Sequence, residues 1–200
     1  MKRLAITLTL LLTGLLSGCA GMRIVDSQVL AVANVPTGMQ LSGARYRFER
    51  LPSQAANPQA GLAEQQAEQA LAGVGLVRDD AQAQISVLVG FQGTQYLADP
   101  WGQPYGGTYG SIAIGRGVPW GSGVGFGMGM RFPPPTNYRR EVSLILRDLK
   151  SGLVVYETRA SHDGPWSDNT TIFATLFKAA LANFPNPPAG PQRVNIEIPR

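Results

Sequence analysis

Residues 173–184 carry the pattern from which much of the fold can be worked out. Phe173, Leu176, Phe177, Ala180, Leu181 and Phe184 recur at i, i+3, i+4, i+7, i+8 and i+11, one apolar stripe of an α-helix, and Pro185 halts it. Asp168 or Asn169 can cap the first free amides of that helix. A helix with one apolar stripe must lay it against something, and the sequence supplies strands. Residues 138–149 and 153–161 alternate, with Val142, Leu144 and Leu146 on one side and Glu141, Ser143, Ile145 and Arg147 on the other. Lys150-Ser151-Gly152 turns one into the other, so this is a hairpin.

The same reading extends along the chain. Strands are expected at 27–35, stopped by Pro36, around Tyr46 and Phe48, at 83–91, and at 193–198. A second helix opens at Asn57-Pro58 and carries Ala63, Ala67, Ala70, Leu71 and Val74 on one face. Glu64, Gln65, Gln66, Glu68 and Gln69 fall largely outside that face, and Gly73 and Gly75 end the helix. Each helix has a single apolar face, which suits covering one face of a sheet. The expected class is therefore α+β, a two-layer sandwich whose mostly antiparallel sheet carries two helices on one face.

The first eighteen residues stand apart. Lys2 and Arg3 precede an apolar run from Leu4 to Leu16, too short to cross a bilayer core of about 30 Å as a helix but right for a signal peptide. The run ends in Leu16-Ser17-Gly18-Cys19, which resembles the lipobox of bacterial lipoproteins. That resemblance implies cleavage before Cys19 and acyl chains on its thiol, enough to hold a protein on a membrane. It also accounts for a single cysteine in an exported chain. Ala20, where an aspartate would imply retention at the inner membrane, implies an outer-membrane lipoprotein facing the periplasm of a Gram-negative envelope. The expected division is a signal peptide at 1–18, a tether at 19–26 and one domain at 27–200, interrupted by a glycine-rich excursion at 102–132.

Several short features together resemble the bacterial lipoproteins of the domain-of-unknown-function family 4136. They are Tyr46 and Phe48, Gly75-Leu76 after the helix, Ala83-Gln84-Ile85, the stretch Leu153–Tyr156, and Phe184-Pro185. The family has no established reaction, so the resemblance implies a fold and an address but no activity.

Residues that could carry chemistry are few. No G-x-S-x-G elbow occurs, because Gly121-Ser122-Gly123 has the wrong spacing. His162 is the one histidine; with Asp163 beside it and Asp168 nearby it suggests an acid–base pair, but a triad needs a nucleophile that the sequence does not place. Asp79-Asp80 reads as a solvated turn rather than a calcium site, and no metal or cofactor is expected. Removing Lys2 and Arg3 lowers the formal charge from +4 to +2, and Arg139-Arg140, the only adjacent basic pair in the remainder, reads as a solvated strand edge. Nucleic acid, which needs a clustered basic stripe, is not an expected partner.

The glycine-rich segment remains, with eleven glycines in the twenty-eight residues from Gly102 to Gly129. It lacks both phosphate-loop spacings, and Pro133-Pro134-Pro135 forbids a helix opening directly after it. Alternation of glycine with Val124, Phe126, Met128 and Met130 suits a flat extended segment or a glycine-rich loop. Tyr105, Tyr109, Trp120, Phe126, Met128 and Met130 are its candidate partner-binding residues, and Cys19 is the lipid-attachment residue. The expected function is a non-enzymatic, lipid-anchored module that binds or scaffolds an envelope protein. The alternatives are a carrier of a small apolar or lipid ligand and, further off, a hydrolase using His162.

Overall fold

The computed structural model describes residues 21–98 and 134–199. These fold into a seven-stranded sheet with three helices among the described residues. The strands are β1 (Met22–Ala33), β2 (Arg45–Glu49), β3 (Val77–Arg78), β4 (Ile85–Leu97), β5 (Thr136–Asp148), β6 (Val154–Gly164) and β7 (Gln192–Pro199). The helices are the single turn α1 (Pro52–Ala55), α2 (Ala60–Gly73) and α3 (Asn169–Ala180). The sheet order is β3-β2-β4-β5-β6-β1-β7. Every pairing from β4 to β7 is antiparallel, whereas β2 runs parallel to both β3 and β4 because α2 carries the chain across between them.

Both long helices cover the same face. Tyr46, Ile85, Val87, Val89, Val142, Leu144, Leu146, Tyr156 and Ala160 project from the strands into one core with Ala67, Leu71, Ile172, Leu176 and Phe177 of the helices. Full burial of an Ile, Leu or Phe side chain contributes about 1.5–3 kcal/mol, so the α3 stripe is a principal fastening of the fold. Thr158 reinforces it, donating from its buried hydroxyl to the Ala180 carbonyl at 2.8 Å.

Two turns show how the sequence sets the element ends. Beyond α2, Gly75 adopts φ +87°, and the amides of Gly75 and Leu76 bond back to Ala72 and Leu71. That is a Schellman motif, whose left-handed residue favours glycine. Between β5 and β6, Gly152 has φ +74° and the Asp148 carboxylate accepts from the Ser151 hydroxyl at 2.5 Å and from its amide at 2.9 Å.

Some expectations shift. β1 starts at Met22, so most of the segment expected as a tether at 19–26 is strand. α3 ends at Ala180, and Phe184 lies past it with its ring edge-on to Tyr156 at 5.0 Å. Glu64 and Gln66, expected outside the buried face of α2, are both 8% exposed. Arg50 holds the Glu64 carboxylate through two bonds of 2.5 and 2.6 Å, and Gln66 donates to the Thr170 carbonyl, tying α2 to α3. Arg140, expected at a solvated edge, is 1% exposed.

Candidate functional site

Strand register places a polar row across the helix-covered face. Gly93 of β4 lies opposite Arg140 of β5, and Arg140 opposite His162 of β6. Gln28 of β1 pairs with Ser161, which puts Ser27 beside His162. The row Gly93–Arg140–His162–Ser27 therefore crosses four strands at the N-terminal end of α3. A Cβ at Gly93 would stand 3.5 Å from the Phe173 ring and 3.9 Å from the Arg140 side chain, ordinary contact distances, so the row packs closely beneath α3.

Arg140 is held from above. Its Nε donates to Asn169 Oδ1 and its Nη2 to the Trp166 carbonyl, both at 2.7 Å, and the guanidinium lies 5.0 Å from the centre of the Tyr138 ring. None of the ion pairs among the described residues includes it, and burial pushes its pKa down, with the nearby Arg23 charge acting in the same direction. The neighbouring carboxylate is already engaged: Asp168 accepts from the Thr171 amide as the cap of α3 and pairs with Arg23 at 2.6 Å. Hydrogen bonding from Thr171, reinforced by Arg23, holds its carboxyl below the usual aspartate range. Two phenols are buried in the core as well, and burial pushes Tyr156 up to about 12 and Tyr46 further.

The His162 imidazole belongs to this row and not to a catalytic pair. Its Nδ1 lies 2.8 Å from the Asp26 carbonyl, which can only accept, so Nδ1 carries a proton. Its Nε2 is buried with no hydrogen-bond partner among the described residues and leans over Gly164, where a Cβ would come within 2.9 Å. Asp163, the next residue, faces the opposite side of the sheet, as a strand's period of two requires. There it pairs with Arg139 at 3.2 Å and accepts from the Tyr96 hydroxyl at 2.6 Å. The acid–base pair suggested by the sequence is thus split between two faces. Ser27 is fully buried and its hydroxyl makes no bond to the imidazole, so the row offers no activated nucleophile.

The other sheet face carries neither long helix. Ion pairs stripe it: Arg193–Asp26 at 3.4 Å, Arg159–Glu141 at 3.1 Å and Arg139–Asp163. Two shallow depressions mark it. One, of about 410 Å³, is lined by Asp26, Gln28, Arg139, Glu141, Ser161 and Asp163, together with His162. The other, of about 420 Å³, runs past Ser53, Gln54 and Asn57 along β4, whose outer edge β2 pairs only as far as Leu88. At that point Gln54 Nε2 donates to the Val89 carbonyl, and Gly90 makes room for Ser143.

The remaining sequence candidates divide cleanly. Asp79 accepts from the amides of Ala81 and Gln82 and pairs with Arg45 at 3.0 Å, while Asp80 pairs with Arg78, so the two carboxylates serve a turn. Among the described residues no group of three or more His, Cys, Asp or Glu could hold a metal ion. Cys19, Tyr105, Tyr109, Trp120, Phe126, Met128 and Met130 lie outside the described residues. Sequence reading passed over Arg23, Ser27 and Trp166, because each sits singly in an otherwise ordinary strand or loop. The register brings Arg23 and Ser27 to one end of the sheet, and contacts with Arg140 and Arg23 place Trp166 beside them.

The fold and site define a mixed α/β domain with a mostly antiparallel sheet, helix-covered on one face and polar on the other. The chain matches the family described as Domain of unknown function (DUF4136) over residues 38–186, and it belongs to that family. No curated protein matches its sequence. Among solved structures it is similar to a PDZ domain protein from Parabacteroides distasonis, at TM-score 0.51 and 11% identity. That likeness covers 89% of this chain but only 39% of the other, and at such identity it concerns the fold alone. A PelC dodecamer from Paraburkholderia phytofirmans matches at TM-score 0.41 and 13% identity, over 77% of this chain and 95% of that one.

Proposed function

We propose that this protein is a lipid-anchored, non-enzymatic module of the cell envelope that binds a protein partner on the periplasmic side of the outer membrane. In this reading Cys19 carries the acyl chains and the domain is a two-layer sandwich. The partner docks on the polar sheet face and on the region from Tyr96 to Phe132, with its glycine-rich excursion. The observation that carries the reading is the division of the sheet. Its one imidazole is buried at 6% exposure with its ring on the helix-covered side, while the outer face presents paired charges and shallow depressions. Unlike a bilayer, a protein contact supplies direct hydrogen bonds and bridging waters, so paired charges on such a face keep polar partners on docking.

The carrier alternative finds less support. Between α2, α3 and β4 the described residues leave a space of about 140 Å³ lined by Leu62, Phe91 and Phe173. Pockets that enclose a drug-sized ligand run to roughly 300–1,000 Å³.

In-cell crosslinking followed by purification through the domain tests the proposal. The full chain is expected to capture an envelope protein, and capture is expected to fall away on deletion of residues 102–129 or on the charge reversal Glu141→Arg. His162→Ala is expected to capture it normally. Undiminished capture by both the deletion and the reversal would overturn the assignment of the surface.

A further inference from the structure

Strand register fixes which end of this domain lies nearest the anchor. Val25 of β1 extends the β1–β6 pairing to a position opposite Gly164; Gly164 lies opposite Tyr138, and Tyr138 opposite Gln95. Met22 is three residues beyond Val25, and Ala98 three beyond Gln95. The two are therefore level across the sheet, and Pro199 lies opposite Met22 on the other side. Ala98 bonds to the Pro135 carbonyl at 2.7 Å, closing the end of the β4–β5 hairpin. The chain thus leaves the described fold at Ala98, and returns to it beside Pro135, at the end where β1 begins.

The tether is short. Three residue steps from Cys19 to Met22 span at most about 11 Å. From β1 to β4 is three interstrand spacings, roughly 15 Å before sheet twist is counted. The opposite end, where Leu153 leads into β6, lies roughly 35 Å away along the eleven residues of that strand. Exposed apolar side chains do not choose between the ends, for Met22, Ile24 and Leu97 mark one and Val32, Val35 and Leu153 the other. Tether length does choose. The domain also does not lie flat on its open face, since that would strip water from the pairs Arg193–Asp26, Arg159–Glu141 and Arg139–Asp163.

We infer that the sheet end formed by Met22, Ile24, Leu97, Pro135 and Pro199 is a membrane-contacting surface whose partner is the phospholipid bilayer. The glycine-rich chain departs on that side, and the opposite end, at Leu149 and Leu153, points away from the lipid. This rests on the reading that Cys19 is acylated.

Full-length protein processed in cells and reconstituted into vesicles of phosphatidylethanolamine and phosphatidylglycerol provides the test. Ile24→Cys, Leu97→Cys and Leu153→Cys place a thiol-reactive fluorophore at exposed positions, the native thiol being blocked by lipid. Doxyl-labelled lipid is expected to remove most of the emission at positions 24 and 97 and none at 153. Equal loss at 97 and 153, or no loss at 24 and 97, overturns the orientation. Intact mass separates the two readings: an acylated chain with the wrong quenching pattern sinks the orientation alone, and a chain without acyl mass sinks both.

Discussion

Gly164→Ala tests whether the buried imidazole is locked where the register places it. The added Cβ would lie 2.9 Å from His162 Nε2 and 3.2 Å from Cε1, well inside ordinary contact. The ring has little freedom to retreat, since it is 6% exposed and tied through Nδ1 to the Asp26 carbonyl at 2.8 Å. Moving it costs that hydrogen bond, about 0.5–1.5 kcal/mol, or an off-rotamer side chain at a similar cost. A destabilisation of about 2 kcal/mol follows, within the usual range for overpacking. In a His162→Ala background the obstacle is gone, and replacing a strand glycine by alanine then stabilises by about 0.5 kcal/mol. The coupling between the two positions is therefore about 2.5 kcal/mol, far above the additivity error of separate sites. Urea unfolding of the four proteins followed by far-ultraviolet circular dichroism measures it. If Gly164→Ala costs the same in both backgrounds, within about 0.5 kcal/mol, the imidazole does not occupy that space and the packing argument fails.

Two further perturbations probe the ends of α3. Asp168→Ala removes the cap on Thr171 and the partner of Arg23, and is expected to cost about 1–2 kcal/mol at neutral pH. The folded carboxyl titrates below its unfolded value, so its contribution is present above about pH 4 and is lost as pH falls through the folded pKa. Asp168→Asn should accordingly flatten the acid limb of stability between about pH 5 and 2, and an unchanged limb would refute the assignment. Thr158→Val keeps the shape but drops the bond to the Ala180 carbonyl, with an expected loss of about 1–2 kcal/mol in urea unfolding; a neutral result would mean that bond contributes nothing net.

How much of this could be read from the sequence depended on how local the cause was. The α3 stripe, the β5–β6 alternation and the Gly75 stop are written within a dozen residues each, and the structure follows them. Arg140 was legible in principle, since it shares its parity with Val142, Leu144 and Leu146 and that parity places it inward. The adjacent Arg139 disguised it as a surface pair. His162 and Asp163 misled the other way, since adjacency in a strand separates side chains. The parallel placement of β2 had no local signal, because it depends on where α2 returns the chain. Cys19 and the glycine-rich residues remain expectations of the sequence, outside the described residues.

The polar row and the anchor end bear on each other. Gly164 lies three residue rows in from the Met22 end of the sheet, and Arg140 and His162 two rows further in. Arg23, Asp168 and Trp166 gather around the same end, where Arg23 lies 5.6 Å from the centre of the Trp166 ring. Such a network is a good brace, because its groups are fixed by backbone carbonyls, a helix cap or a neighbouring ring. It stiffens the strand ends from which the chain departs at Ala98 and to which it returns at Pro135. A binding segment that starts from a rigid base loses less entropy on docking than one on a frayed hairpin. Loosening the base through Asp168→Ala should therefore weaken partner capture in crosslinking even though Asp168 lies off the proposed docking face. Undiminished capture in that variant, with its stability loss verified, would separate the brace from the binding function.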